Sequence, residues 1–179
     1  MTKKSTLYIV QGAIIAALYA VLTVGQNLLL PGTASMAVQF RVAEALTVLA
    51  FFTPAAIPGL TIGCVIANIS SVTAGFGFAD MIFGSIATLL AAVTMRALRN
   101  VCIKDIPFVG LLMPAVFNGI IIGLELEFFV VAMPFDFSRF LIEGGCVALG
   151  ELVVVFVLGI PLTLTMKKTN LAKKLKFEL

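Results

Sequence analysis

The chain has 179 residues, of which 61% are hydrophobic and 12% are charged, and its formal net charge is +3. A water-soluble domain is closer to half apolar and a quarter charged, and a chain of this size cannot hide the surplus apolar surface in one core. The composition therefore excludes an ordinary soluble domain and indicates a protein whose solvent is lipid.

The apolar residues come in long runs, and we predict one all-α integral membrane domain over residues 1–179. Several runs reach about 18 residues with one charge or none, the length that a helix needs to cross the hydrocarbon. The first run reads as a retained span, not as a cleaved signal peptide. The second is short, so we expect it to be tilted or partly shielded by protein. The predicted bundle of six transmembrane helices covers residues 7–30, 37–53, 56–73, 80–97, 107–133 and 140–166.

Basic residues are unevenly distributed along this predicted topology. With six spans, both termini and the connector between spans four and five share one side of the membrane. That side collects ten of the twelve basic residues, and the positive-inside rule then places both termini in the cytoplasm. We predict a multi-pass protein of the plasma membrane. The ten residues are Lys3, Lys4, Arg96, Arg99, Lys104, Lys167, Lys168, Lys173, Lys174 and Lys176.

Acidic residues show the opposite distribution. Seven of the nine lie within the predicted spans or towards the outer face: Glu44, Asp80, Glu125, Glu127, Asp136, Glu143 and Glu151. A charged side chain at the bilayer centre costs about 2.5–3.5 kcal/mol on insertion scales, so such acids are functional candidates by default. Glu151 is the deepest. Glu125 shares a helix face with Asn118, seven residues earlier, whereas Glu127 points roughly the opposite way.

Structural interpretations of several charged residues remain open at this stage. Arg41 and Glu44 are three apart, the spacing of a local ion pair on a helix. Asp80 has the residue type of a helix N-cap. Glu127, Asp136 and Glu143 are consistent with positions in the outer interface.

The first span carries small residues at every fourth position. Such a pattern lets a second helix approach closely in lipid. It predicts either close packing within the bundle or docking to a partner subunit. The residues are Gly12, Ala16 and Ala20 on one line, with Ala13 and Ala17 on the next.

The residues and motifs that the sequence lacks exclude several classes of function. The sequence has no G-x-x-x-x-G-K-[ST] phosphate loop, so we do not expect it to hydrolyse ATP itself. Histidine is absent, which excludes a Ser/His/Asp or Cys/His catalytic set, and no metal-ligand cluster appears. We therefore predict no enzymatic activity, no cofactor or metal and no nucleic-acid partner. An acid-lined pocket without its own energy source indicates a binding subunit driven by other proteins.

Five stretches of the chain carry a family resemblance that covers most of its length: residues 39–59, 62–68, 80–92, 117–125 and 147–154. They resemble the QueT family, whose members are substrate-binding S components of energy-coupling factor (ECF) transporters associated with queuosine precursors. The resemblance implies six helices around an outward-facing pocket, a transmembrane coupling subunit and two cytoplasmic ATPases. The family's small-residue docking face on the first helix corresponds to Ala13 and Ala17, with Gly12, Ala16 and Ala20 beside them.

The resemblance also implies a ligand, a 7-deazaguanine base such as queuine. One carboxylate can accept the N1–H and the exocyclic amine of such a base together, and Glu125 or Glu151 is expected in that role. The donor to the base oxygen would come from Asn118, Asn68 or Arg41. Alternatives are an S component for another vitamin or an amino acid, and a small channel or scaffold. The expected substrate-binding residues are Arg41, Glu44, Asn68, Asp80, Asn118, Glu125 and Glu151.

Overall fold

The computed structural model describes residues 3–30, 33, 38–73, 77–104, 106–130 and 134–175, and nearly all of these are helical. The predicted all-α architecture is confirmed, and one isolated bridge between Ile103 and Ile106 is the exception among the described residues. The helices are α1 (Lys3–Leu29), a 3-10 helix (Val42–Val48) running into α2 (Leu49–Phe52), α3 (Ala56–Thr73), α4 (Gly77–Ala97), α5 (Phe108–Glu125) with a π-helical turn (Leu126–Val130), α6 (Phe137–Val154) with a second π-helical turn (Val155–Gly159), α7 (Ile160–Lys168) and α8 (Leu171–Lys174).

Four of these helical stretches are long and apolar enough to cross a membrane by length and composition: Lys4–Leu29, Phe78–Ala97, Phe108–Phe129 and Phe137–Lys168. Two shorter apolar segments, Val42–Phe52 and Ala56–Ile69, complete the set. Large apolar side chains such as Val21, Ile62 and Leu149 are exposed on the outside of the bundle. Extended apolar surface of this kind is typical of a face that contacts lipid, so the chain is a multi-pass membrane protein.

The second predicted helix differs most from expectation. Residues 37–53 were expected to form one transmembrane helix. The described residues instead form a seven-residue 3-10 helix followed by four residues of α-helix, and residue 37 lies outside the described part. The segment is almost entirely buried. Because its surroundings are protein, it does not need the length of an independent span.

The other predicted spans agree more closely with the structure. The range 56–73 coincides with α3. The helix expected from residue 80 begins earlier, with Gly77 inside it. The fifth extends through Val130, and the predicted residues 131–133 lie outside the described part. The sixth spans α6, the second π-helical turn and α7. This turn ends two residues before Pro161, whose ring would clash with the carbonyl of Val157, four residues earlier, in a regular α-helix.

Small residues set the distance between α1 and α3. A Cβ added to Gly59 would lie 2.7 Å from the carbonyl oxygen of Gly12, and one added to Gly63 would lie 2.8 Å from that of Ala16. The two backbones therefore touch, as small residues allow in membrane helices. Packing within the bundle is thus the role of the line formed by Gly12 and Ala16.

The segments run between two ends of the bundle. At the first, here called the terminal end, Gln11 donates to the carbonyl of Leu175 and accepts from Thr53, while Arg96 donates to the carbonyl of Phe51. The N- and C-terminal helices therefore meet there. At the opposite end, here called the distal end, Gln26 donates to the carbonyl of Phe40 and accepts from the amide of Val42.

Candidate ligand-binding site

Polar side chains are concentrated inside the bundle, between its middle and its distal end. The 3-10 helix and the residues before it supply one side of this polar cluster, and α3, α4, α5 and α6 supply the others. All but one of its members are buried, and Asp80 is partly buried. In a membrane protein, buried ionisable side chains mark the functional interior. The cluster consists of Gln39, Arg41, Glu44, Asn68, Asp80, Asn118, Glu125 and Glu151.

Arg41 forms the ionic link between the 3-10 segment and α4. It occupies the N-cap position of the 3-10 helix in extended conformation, and its Nη2 lies 3.0 Å from Oδ1 of Asp80. Asn68 donates to the carbonyl of Asp80 at 3.1 Å. A Cβ on Gly84 would lie 2.9 Å from the Asn68 amide nitrogen and 3.3 Å from Arg41 Nη1. The absence of a side chain at Gly84 therefore makes room for these groups to meet.

Two local interpretations of these residues are wrong. In the described part of the chain, Arg41 pairs with Asp80 rather than with Glu44, because it precedes the helix and extends towards α4. Asp80 is not the N-cap of α4, since Gly77 already belongs to that helix. Its carboxylate instead receives the guanidinium of Arg41.

Glu44 is completely buried and well supplied with hydrogen-bond donors. Its Oε1 accepts from the Tyr19 hydroxyl at 2.5 Å and from the Thr88 hydroxyl at 2.9 Å, and its Oε2 accepts from the Thr47 hydroxyl at 3.0 Å. These donors come from α1, α4 and the 3-10 helix itself. Glu44 therefore binds the helices that surround the cluster to one another.

Asn118, Glu125 and Glu151, unlike Glu44, carry buried polar atoms that lack hydrogen-bond partners among the described residues. Asn118 and Glu151 are fully buried and Glu125 is 4% exposed. Among the described residues no partner reaches the amide oxygen or nitrogen of Asn118, either carboxylate oxygen of Glu151, or Oε2 of Glu125. An unpaired buried polar group costs about 1–3 kcal/mol, and more if it is charged. Such groups persist where function requires them.

Gln39 is the member that sequence reasoning missed. Its side chain is 4% exposed, and its Oε1 has no partner in the described structure. Its backbone packs against α6, where a Cβ on Gly150 would lie 2.1 Å from the Gln39 carbonyl oxygen. Gly150 precedes Glu151, so Gln39 lies beside the deepest acid. The signal available was its place two residues before Arg41, inside the predicted span 37–53.

Glu127 and Arg139 form a separate ion pair at the distal end. Arg139 Nε donates to Glu127 Oε2 at 2.7 Å, and Nη2 contacts Oε1 in the fork geometry of a strong pair. The backbone amide of Asp136 also donates to Glu127. Asp136 is the N-cap of α6 and accepts from the amides of Ser138 and Arg139. Glu127 and Asp136 therefore fasten the connection between α5 and α6.

The predicted docking residues divide between two faces of α1. Ala16 is buried and Gly12 is half-buried against α3, and Ala20 is also half-buried. Ala13 and Ala17 are exposed on the outside of the bundle. A second helix could therefore approach α1 closely only along the line of Ala13 and Ala17.

The chemistry of the cluster suits a small polar ligand. Glu151 and Glu125 offer free acceptor oxygens, Asn118 offers both a donor and an acceptor, and Gln39 offers a further carbonyl. The arrangement of a few convergent polar groups inside an apolar wall is typical of small-molecule sites.

The fold and the cluster define a multi-pass helical membrane protein with buried polar side chains inside its bundle. The chain belongs to the QueT transporter family, whose model matches residues 9–168. It is thus a transporter protein and not an enzyme. The chain is 34% identical over 163 residues to the queuosine precursor transporter QueT of Lactococcus lactis subsp. cremoris (strain MG1363), an alignment that covers 88% of this chain and 90% of that protein. No solved structure matches the chain.

Proposed function

We propose that this protein captures queuosine precursors, such as queuine or a related 7-deazaguanine base, as the S component of an ATP-driven ECF importer. It would bind the base from outside the cell and depend on a transmembrane coupling subunit and two cytoplasmic ATPases for the work of transport. The support comes from membership of the QueT family and from the named activity of the Lactococcus relative.

The observation that carries the proposal is the set of unpaired polar atoms around Glu151. Both Glu151 carboxylate oxygens lack a partner among the described residues, as do both amide atoms of Asn118. A 7-deazaguanine base presents the N1–H and the exocyclic amine side by side, and one carboxylate can accept both. The neighbouring carbonyl oxygen of the base would then receive the Asn118 amide. The ligand would thereby satisfy the groups that the protein leaves unpaired.

The proposed membrane topology has six spans with both termini in the cytoplasm. The two short apolar segments would count as spans because the long helices shield them. The terminal end carries the basic residues Lys4, Arg96, Arg99 and Lys167, and the positive-inside rule would place this end in the cytoplasm. The polar cluster would then open towards the outside through the distal end.

The proposed coupling surface is the outer face of α1. Ala13 and Ala17 are exposed there, while Gly12 and Ala16 are used for packing against α3. A line of small residues facing lipid lets a partner helix pack against the backbone.

Binding of the purified protein to 7-deazaguanine bases, measured by calorimetry in detergent or nanodiscs, tests the proposal. We expect saturable binding of queuine or 7-aminomethyl-7-deazaguanine and at least tenfold weaker binding after Glu151→Gln, from a loss of about 1.5–3 kcal/mol. Asp136→Asn, a change at an exposed acid outside the cluster, is the control. It should leave affinity unchanged, because Asn caps a helix about as well as Asp.

Other results would overturn the proposal. Binding of a different vitamin or an amino acid, with none of the deazaguanines, would point to an S component of another specificity. Ion flux through protein-containing liposomes without any ligand binding would identify a channel.

A further inference from the structure

The polar cluster contains more acidic groups than basic ones. Glu44, Asp80, Glu125 and Glu151 contribute four carboxyl groups. Arg41 is the one basic side chain among the described residues that is buried. Four carboxylates cannot all be balanced by one guanidinium in a low-dielectric interior. The cluster would therefore gain from a positive charge brought by the ligand.

The existing partners show which acids remain available. Asp80 is occupied by Arg41 at 3.0 Å. Glu44 accepts three hydroxyl hydrogen bonds. Glu125 retains one unpaired oxygen and Glu151 retains two. Within the cluster, Glu125 and Glu151 are thus the acids with buried oxygens that lack a partner among the described residues.

The two free acids lie in different parts of the cluster. Glu151 is near the middle of its span, Phe137–Lys168. Glu125 lies seven residues beyond Asn118 towards the distal end, about 10 Å along the helix axis. A ligand that reaches both must carry two separate groups of donors.

We propose that Glu125 is the specificity residue for a cationic substituent on the base, while Glu151 holds the base itself. This inference rests on the proposed function. In a 7-aminomethyl-7-deazaguanine the ammonium group lies on the opposite side of the ring system from the 2-amino group. Glu151 receives the N1–H and 2-amino group, Asn118 lies between, and Glu125 receives the ammonium group. The substrate class is a deazaguanine with an amine on its C7 substituent.

The ammonium group suits Glu125 for two reasons. A charge-assisted bond to a carboxylate is about twice as strong as a neutral one, and a buried ion pair has value only when its remaining bonds are satisfied. Glu125 has a free oxygen for this bond, whereas the carboxylate of Asp80 is already paired with Arg41. A neutral hydroxyl could still donate to that oxygen, but without the charge that strengthens the bond.

The test compares two nearly isosteric ligands, 7-aminomethyl- and 7-hydroxymethyl-7-deazaguanine, by calorimetry on the full-length protein. We expect the wild type to bind the amine about 10- to 100-fold more tightly than the alcohol, the factor for a hydrogen bond to a charged group. In Glu125→Gln this preference should fall to about threefold or less, with the affinity for the alcohol nearly unchanged. In Glu151→Gln both ligands should weaken equally, which preserves the ratio.

Several results would overturn the inference. Equal binding of the two ligands by the wild type would contradict it. This comparison needs no variant, so a folding defect in Glu125→Gln cannot obscure the result. A preference that survives Glu125→Gln, or one that disappears in Glu151→Gln, would also contradict it while leaving the proposed function intact. A wild type that binds neither base would overturn the proposed function and this inference together.

Discussion

The hydroxyl of Tyr19 lies 2.5 Å from Oε1 of Glu44, so the middle of α1 is bonded directly to the 3-10 helix. Each of the two side chains is at most 2% exposed. The same oxygen also accepts from Thr88 in α4. One carboxylate oxygen therefore joins three helices at the level of the polar cluster.

Removal of the Tyr19 hydroxyl should destabilise the protein. We expect Tyr19→Phe to lower the free energy of unfolding by about 1–3 kcal/mol, because a buried carboxylate loses one of its donors. Thermal or denaturant unfolding in detergent measures this change. Tyr8→Phe is the control, since Tyr8 is exposed and its contact with the Pro54 carbonyl is 3.4 Å long. Equal losses in the two variants would mean that the Tyr19–Glu44 bond contributes nothing specific.

Glu44 and Glu151, two of the fully buried acids, should respond oppositely to the same substitution. Glu44→Gln should cost about 1–3 kcal/mol of stability, since its carboxylate is already hydrogen-bonded. Glu151→Gln should raise the stability of the ligand-free protein by about 1 kcal/mol, because an unpaired buried carboxylate is expensive and an amide is less so. Unfolding without ligand measures both. A destabilising Glu151→Gln would indicate that Glu151 has a structural role.

The contact between α1 and α3 should not tolerate a single methyl group. A Cβ at residue 63 would lie 2.7 Å from the Cβ of Tyr19, so Gly63→Ala should cost about 1–3 kcal/mol by overpacking. Gly145→Ala is the matched control in α6, where nothing lies within 4 Å of the added atom. That variant should gain up to about 1 kcal/mol from helix propensity. Unfolding in detergent distinguishes the two, and a neutral Gly63→Ala would contradict the tight crossing.

A bulky residue on the outer face of α1 should block assembly and spare ligand binding. We expect Ala17→Trp to reduce co-purification with the coupling subunit at least tenfold, because the ring keeps a partner helix from the α1 backbone. Leu149→Trp, on an exposed face of α6, should assemble normally. Calorimetry should give wild-type affinity for both variants. Normal assembly of Ala17→Trp would place the coupling surface elsewhere.

Much of the fold followed from patterns that lipid imposes on sequence. The range of α3 was predictable because apolar residues run without a charge from a Pro-containing start to residue 73. The long helices were visible for the same reason. The 3-10 geometry of Val42–Val48 was not, because its composition is equally suitable for an α-helix and its burial comes from neighbours distant in sequence.

The candidate site was less predictable, because its contacts join residues distant in the chain. Asp80 pairs with an arginine 39 residues away, and Glu44 accepts from Tyr19 and Thr88, 25 and 44 residues away. Residue type alone indicated local alternatives for Arg41 and Asp80, and both were wrong. The residue types did mark Asn118, Glu125 and Glu151 as unusual within apolar spans, and their unpaired atoms support that choice.

The 3-10 helix determines both the reach and the alignment of its segment. Gln11 and Gln26 of α1 contact Thr53 and Val42 respectively, so the intervening eleven residues rise as far as fifteen residues of α1, about 22 Å. A 3-10 helix makes this possible by rising about 2.0 Å per residue. Its three-residue turn also stacks Thr47 directly over Glu44 in one column. Rewinding the seven residues as α-helix would shorten the segment by about 3.5 Å and rotate Thr47 by about 60° away from Glu44. The pitch of one short helix therefore determines both the position of Arg41 along the bundle and the hydrogen bond between Thr47 and Glu44. An insertion or deletion within Val42–Val48 would disturb both.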